Sequence, residues 1–173
     1  GVIRITTQAT SGEGARIYRG GHLLDSSFGT IRGDRIYSFE AVVRVPTTTA
    51  NVFFAIGMAD DLAGSGINNA IEFYASAGGS VHAYCEAGTV PTHTDTGFTP
   101  VANEWNVYSF IQEASGTIDF YIDDVLEATI STNVPDAETG VIGIGIVTQT
   151  AGARSIDIDY IAFESRDLGA RTS

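Results

Sequence analysis

The sequence contains no lysine. Its nine basic residues are all arginine, set against 21 Asp and Glu, and the formal net charge is −12. So acidic a chain repels phosphate backbones and anionic lipid headgroups, so neither nucleic acid nor membrane is an expected partner; the same charge favours solubility. There is a single cysteine, Cys85, which excludes an intramolecular disulfide and the small disulfide-stapled secreted class. Cys85 alternates with Val81 and Ala83, the pattern of a buried core thiol rather than of a nucleophile. No apolar run approaches the roughly 20 residues of a membrane helix. No signal-peptide pattern is present, and the chain starts at Gly1 rather than Met, which reads as a processed product or a module of something longer. The three histidines, His22, His82 and His93, lack metal-ligand spacing. Gly20-Gly21 and Gly64-Ser65-Gly66 are turn glycines rather than phosphate-binding loops, since neither sits in a strand-to-helix motif. Heptads, internal repeats, low-complexity runs and helical periodicity are all missing.

What the sequence does have is strand pattern. Apolar residues make up 43% of 173 residues and charged residues 17%, with 20 glycines and only four prolines, the composition of one globular, turn-rich domain. Short runs of period-two alternation recur at sandwich-like intervals. They predict strands over Val2–Thr7, Ala15–Arg19, Arg35–Val45, Asn51–Ala59, Ile71–Ala75, Val81–Glu86, Trp105–Gln112, Thr117–Ile122, Val125–Ile130, Val141–Thr148 and Ser155–Glu164. Asn51–Ala59 is almost continuously apolar, as in a central strand. Gly88–Glu104 reads as a long polar loop, and Asp123-Asp124 as a tight two-residue turn, because short polar side chains tolerate the left-handed backbone it requires. The predicted fold class is all-β, a two-sheet antiparallel β-sandwich over residues 1–164, with 165–173 as an extended arm.

Three stretches are more specific: W-N-V-Y-S-F from Trp105, G-T-I-D-F-Y-I-D-D-V-L-E-A-T from Gly116, and S-I-D-I-D-Y-I-A-F from Ser155. Together they resemble the concanavalin A-like lectin and glucanase superfamily, with Asp123-Asp124 standing where that family usually has Asp-Gly. The resemblance implies a jelly roll spanning Ser38 to Glu164. Modules of this kind recur in bacteriophage virion and tail proteins. In some relatives the aspartate of the closing strand helps bind a structural calcium ion, which by motif is Asp159; Asp60 and Asp61 offer a different, loop-based site.

The glucanases of this superfamily take their carboxylates from a Glu-x-Asp-x-x-Glu strand. That string is absent; the corresponding segment, Asn69–Ala75, holds Glu72 alone. Asp157 and Asp159 share one face by alternation but lie on the closing strand. Trp105 is expected as a core or sheet-edge anchor, with sugar stacking as the alternative. Across the hairpin of Ile71–Ala75 and Val81–Glu86, the residues Glu72, Tyr74, His82, Tyr84 and Glu86 point away from the core. They combine aromatic faces with hydrogen-bonding groups, as glycan grooves do. The expectation is a non-enzymatic, virion-associated or extracellular adhesion domain that contacts glycan or protein and needs no cofactor. It is expected to assemble as a homo-oligomer, a trimer being the natural case for attachment to symmetric particles. The alternatives are a carbohydrate-binding module of a secreted bacterial protein and, third, a polysaccharide lyase or hydrolase.

Overall fold

The structure is a computed structural model that describes residues 1–19, 30–32, 35–46, 50–60, 69–75, 78–135, 137–139 and 141–167. Fourteen strands appear in it and, among the described residues, no helix. They are β1 (Ile3–Thr6), β2 (Gly14–Arg19), β3 (Thr30–Arg32), β4 (Arg35–Arg44), β5 (Val52–Ala59), β6 (Asn69–Ala75), β7 (Val81–Ala87), β8 (Val90–Asp95), β9 (Asn106–Gln112), β10 (Ile118–Ile122), β11 (Val125–Ile130), β12 (Ala137–Thr139), β13 (Val141–Thr148) and β14 (Ser155–Asp167). Two six-stranded antiparallel sheets form the sandwich. The first runs β1-β14-β4-β9-β10-β11 and the second β2-β13-β5-β6-β7-β8, with β12 and β3 as a small separate pair. The predicted all-β jelly-roll sandwich is the observed fold.

Alternation decides which side chains meet between the sheets. Phe39, Phe110, Tyr108 and Phe120 from the first sheet face Phe54 and Phe73 from the second, all buried. Phe39 stacks on Phe110 at 5.2 Å, and Phe73 meets Phe120 edge-on at 5.1 Å and Tyr108 at 5.4 Å. Such edge and offset contacts match the ring quadrupoles and fix one packing. Cys85 lies in this core, and burial pushes its thiol well above the ordinary range, which makes it an inert apolar filler.

The β10–β11 hairpin turns on Asp123 and Asp124, at φ 50° and 65°, as a two-residue turn requires. The Asp123 carboxylate also accepts the Val107 N–H at 2.7 Å and the Asn106 side-chain amide at 2.9 Å, tying the turn to β9.

Several expectations change. The segment predicted as a loop, 88–104, contains β8, which pairs with β7 at the sheet edge. Its sequence, VPTHTD, has no apolar alternation because the strand is almost wholly exposed; its Pro91 suits an edge position. Asp157 and Asp159 do not share a face. The β14 register shifts between Ile158 and Tyr160, a bulge that leaves Asp159 exposed and Asp157 buried. Trp105 is not in the core: it precedes β9, is 37% exposed and lies 4.7 Å beneath the Arg44 guanidinium. Strand β14 continues to Asp167, paired with β4. His22, Gly20-Gly21, Asp61, Gly64-Ser65-Gly66 and residues 168–173 lie outside the described residues.

Candidate functional site

The β6–β7 hairpin pairs Glu72 with Tyr84 and Tyr74 with His82. All five residues singled out in the sequence therefore stand on the outward face of the second sheet, opposite to Phe73, Val81, Ala83 and Cys85. Neighbouring strands extend the face. Ala55 pairs with Tyr74, so Phe53 stands beside it; His93 and Asp95 pair with Tyr84 and His82.

A continuous row of rings results, one from each of four adjacent strands. Phe53 stacks on Tyr74 with centroids 6.1 Å apart; Tyr74 stacks on His82 at 5.0 Å and 10°; His82 meets His93 edge-on at 5.8 Å. Tyr84 abuts Tyr74 at 5.5 Å and 87°. With neighbouring strands about 4.8 Å apart, four strands carry the row across about 14 Å. Tyr74, His82 and Tyr84 are half-buried: held on one side by neighbours, open on the other.

Beside the row the face is acidic and tightly packed. Ala55, Ala59 and Ala70 form a buried floor under Phe53, Tyr84 and Val141. Opposite Glu72 stands Gly57, at φ +149°. A Cβ there would lie 2.4 Å from the Ile71 carbonyl oxygen and 2.7 Å from the Glu72 Cα, so only glycine fits this approach of β5 to β6. Glu72 and Glu86 point outward as expected, yet both are buried, Glu72 to 2% exposure. The Tyr84 hydroxyl donates to Glu86, and burial followed by this bond to Glu86 pushes the Tyr84 phenol up.

Glu72 has no such partner: its Oε2 is buried and makes no hydrogen bond. Burial first, then the charges of Glu86 and Asp60, push its carboxyl up to about 8. Glu72 is therefore biased towards its neutral acid form, chiefly because burial strips water from the charged form and secondarily because other carboxyl groups stand near it. His82 Nδ1 is also buried without a hydrogen-bond partner. Asp95, by contrast, is held below the usual carboxylate range by the Ser80 hydroxyl and the Gly97 N–H.

No permanent cation relieves this charge from within the central strands, since the sequence has neither lysine nor arginine between Arg44 and Arg154. On this face Arg16 of β2 stands three strands from β6.

Asp159 is isolated from this site. It is an exposed residue on the β14 bulge of the other sheet, and among the described residues no three His, Cys, Asp or Glu side chains converge as a metal site. Asp157 instead accepts from Arg4 at 2.5 and 2.8 Å and from Arg44 at 3.0 Å.

The first sheet has its own outward groove, about 580 Å³, lined by residues including Ser38, Glu40, Ser109, Ile111, Tyr121 and Glu164. It is the trough left over small side chains. Two of its acids are satisfied locally, Glu40 by the Tyr160 hydroxyl and Glu164 by both Nε and Nη2 of Arg166, and Asp124 also lines it. Among the described residues it has no ring row and no unpartnered buried group, so the second sheet is the better candidate.

Phe53 and His93 were not legible as site residues. Phe53 is hidden in an unbroken apolar run, and His93 lies on the polar edge strand. The only available signal was the odd-numbered position of each opposite the outward set of its neighbour.

No protein-family model matches the sequence, and no curated protein matches it. Solved structures do match. A protein of unknown function from Shewanella oneidensis MR-1 superposes with a TM-score of 0.68 at 18% identity, over 100% of this chain and 72% of that one. The β-glucanase of Bacillus licheniformis gives 0.65 at 15%, over 96% and 79%. The carbohydrate recognition domain of Emp46p, in a potassium-bound form, gives 0.62 at 11%, over 96% and 83%. The class is thus a jelly-roll sandwich with the fold of concanavalin A-like lectins and glucanases. At these identities the likeness establishes the fold alone, and the site must be judged from its own chemistry.

Proposed function

We propose that this domain binds glycan, without cleaving it, on the outward face of the second sheet. The observation that carries this is the ring row Phe53–Tyr74–His82–His93. The apolar faces of sugar rings pack on aromatic side chains, and their hydroxyls need flanking acceptors and donors. Glu86 and Asp95 supply acceptors, and the Tyr74 hydroxyl and the exposed His93 ring supply donors. A row of about 14 Å spans about three sugar units at the strand spacing given above. The lectin and glucanase neighbours support the reading at the level of fold, where function is set by the site rather than inherited.

The test is calorimetric titration with a panel of oligosaccharides. At least one should bind with micromolar to millimolar affinity, and Tyr74→Ala should weaken it about tenfold or more, the loss of one stacking contact. Absence of binding across the panel, or binding indifferent to Tyr74, would remove the proposal.

Hydrolysis is the second reading, and one observation favours it: a carboxyl that holds its proton to about pH 8 beside another acid, Glu86. Glycosidases use such a pair. Against it, Glu72 is 2% exposed, with no open path to a glycosidic oxygen, and the Glu-x-Asp-x-x-Glu string is missing. Release of reducing ends from a β-glucan, abolished by Glu72→Gln, would establish it.

For the adhesion module a virion surface is the setting proposed from composition. A stable homo-oligomer in solution, a trimer above all, would support that setting, and a strict monomer would count against it.

A further inference from the structure

The ring row shares its face with a group of acids. Burial above all, with the nearby charges of Glu86 and Asp60, pushes the Glu72 carboxyl up. Asp95 sits at the other end of the row, paired with His82. Titratable groups around the row on the described part of the face are these four acids, Tyr74, Tyr84, His82 and His93, with Arg16 of β2 three strands from β6. Arg16 is the permanent cation among them and stands away from the row, and no lysine or arginine exists from residue 45 to 153. The buried Oε2 of Glu72 and Nδ1 of His82 are also left without partners.

Such a face discriminates among glycans. Uronates and sulfated sugars would bring like charge against Glu86 and Asp95 in a partly desolvated site, which is strongly disfavoured. An ammonium group gains from the carboxylates, and from those ring faces along the row that a neighbouring ring does not cover, since aromatic faces attract cations within about 6 Å. A neutral sugar gains the stacking only.

We propose that the glycan taken by this face bears free amino groups, as in a hexosamine polymer partly or wholly without its N-acetyl groups. This rests on the glycan-binding reading above and narrows it to a cationic substrate class.

The test uses the full chain and four hexamers of matched length: β-1,4-linked glucosamine, its N-acetylated counterpart, cellohexaose and an oligogalacturonate. Affinities are measured by calorimetry at about pH 6, where the amines are largely protonated and free carboxyls largely ionised. The glucosamine hexamer should bind at least about tenfold tighter than either neutral hexamer, with the galacturonate weakest. Raising salt should erase most of that preference, as it screens the charge term. The double variant Glu86→Gln/Asp95→Asn should reduce the preference to about twofold, read as the ratio of the glucosamine and cellohexaose affinities in the same variant, so that hydrogen bonds lost to both hexamers cancel. Equal or tighter binding of a neutral hexamer overturns the inference and leaves the glycan-binding face standing. Binding of none of the four sinks both.

Discussion

The two outward faces of this sandwich handle charge in opposite ways. On the first sheet two acids are paired with arginine where they stand: Asp157, 1% exposed, is gripped by Arg4 and Arg44, and Glu164 by Arg166. On the second sheet Glu72 is equally buried, its Oε2 has no partner, and burial pushes its carboxyl up. One fold thus carries a face whose polar groups complete one another and a face whose polar groups remain available. Buried groups without partners cost stability, and retaining them is what a site requires and a purely structural surface does not.

The contrast can be broken most severely at Gly57. Gly57→Ala puts a methyl group 2.4 Å from the Ile71 carbonyl oxygen. It should cost about 3 kcal/mol in urea unfolding, at the upper end for overpacking because the obstacle is backbone.

Glu72→Gln comes next and acts in the opposite direction. The unfolded carboxyl ionises near about 4.3, the folded one at about 8. Between those values the folded state keeps a proton that the unfolded state has lost, so stability falls as pH rises through this window. Glu72→Gln should flatten that fall and stabilise the protein at pH 8 by on the order of 2 kcal/mol, read from unfolding midpoints across pH.

Asp157→Asn tests the opposite face. Its carboxyl is held below the usual range by the bond to Arg4, with burial opposing and Arg44 adding to it. The stability this provides is complete above the unfolded pKa, about 3.9, and is lost as pH falls through the folded one. The variant should lose about 2 kcal/mol at neutral pH, as for a charge-assisted bond between buried and partly exposed groups. Wild type and variant should converge in acid. The two variants should therefore show opposite pH trends, and a shared trend would erase the distinction between the faces.

The smallest effect on folding is at Tyr74. Tyr74→Ala should change stability by about 1 kcal/mol, the scale of lost stacking with Phe53 and His82, while its effect falls on glycan binding.

Much of this was legible in the sequence, and the reason is alternation. Ile71 through Glu86 shows a period of two on both hairpin arms, so the outward set was fixed once the strands were assigned. The Asp123-Asp124 turn was likewise read from chemistry that acts within two residues. The missing pieces depend on partners distant in sequence. Strand β8 lacks apolar alternation because neither face reaches the core. Phe53 gains its role only when Tyr74 is placed next to it. The Asp159 bulge breaks the alternation that seemed to set it beside Asp157. The burial of Glu72 needs Gly57 and the alanine floor, none of which marks itself as part of a site.

The central claim is that the ring row is where ligand binds. It is tested most directly by mapping backbone amide NMR shifts during titration with a binding oligosaccharide. The account predicts shifts concentrated at Phe53, Tyr74, His82, Tyr84 and His93. Shifts gathered instead at Ser38, Glu40, Ser109 and Tyr121, in the groove of the first sheet, would contradict it.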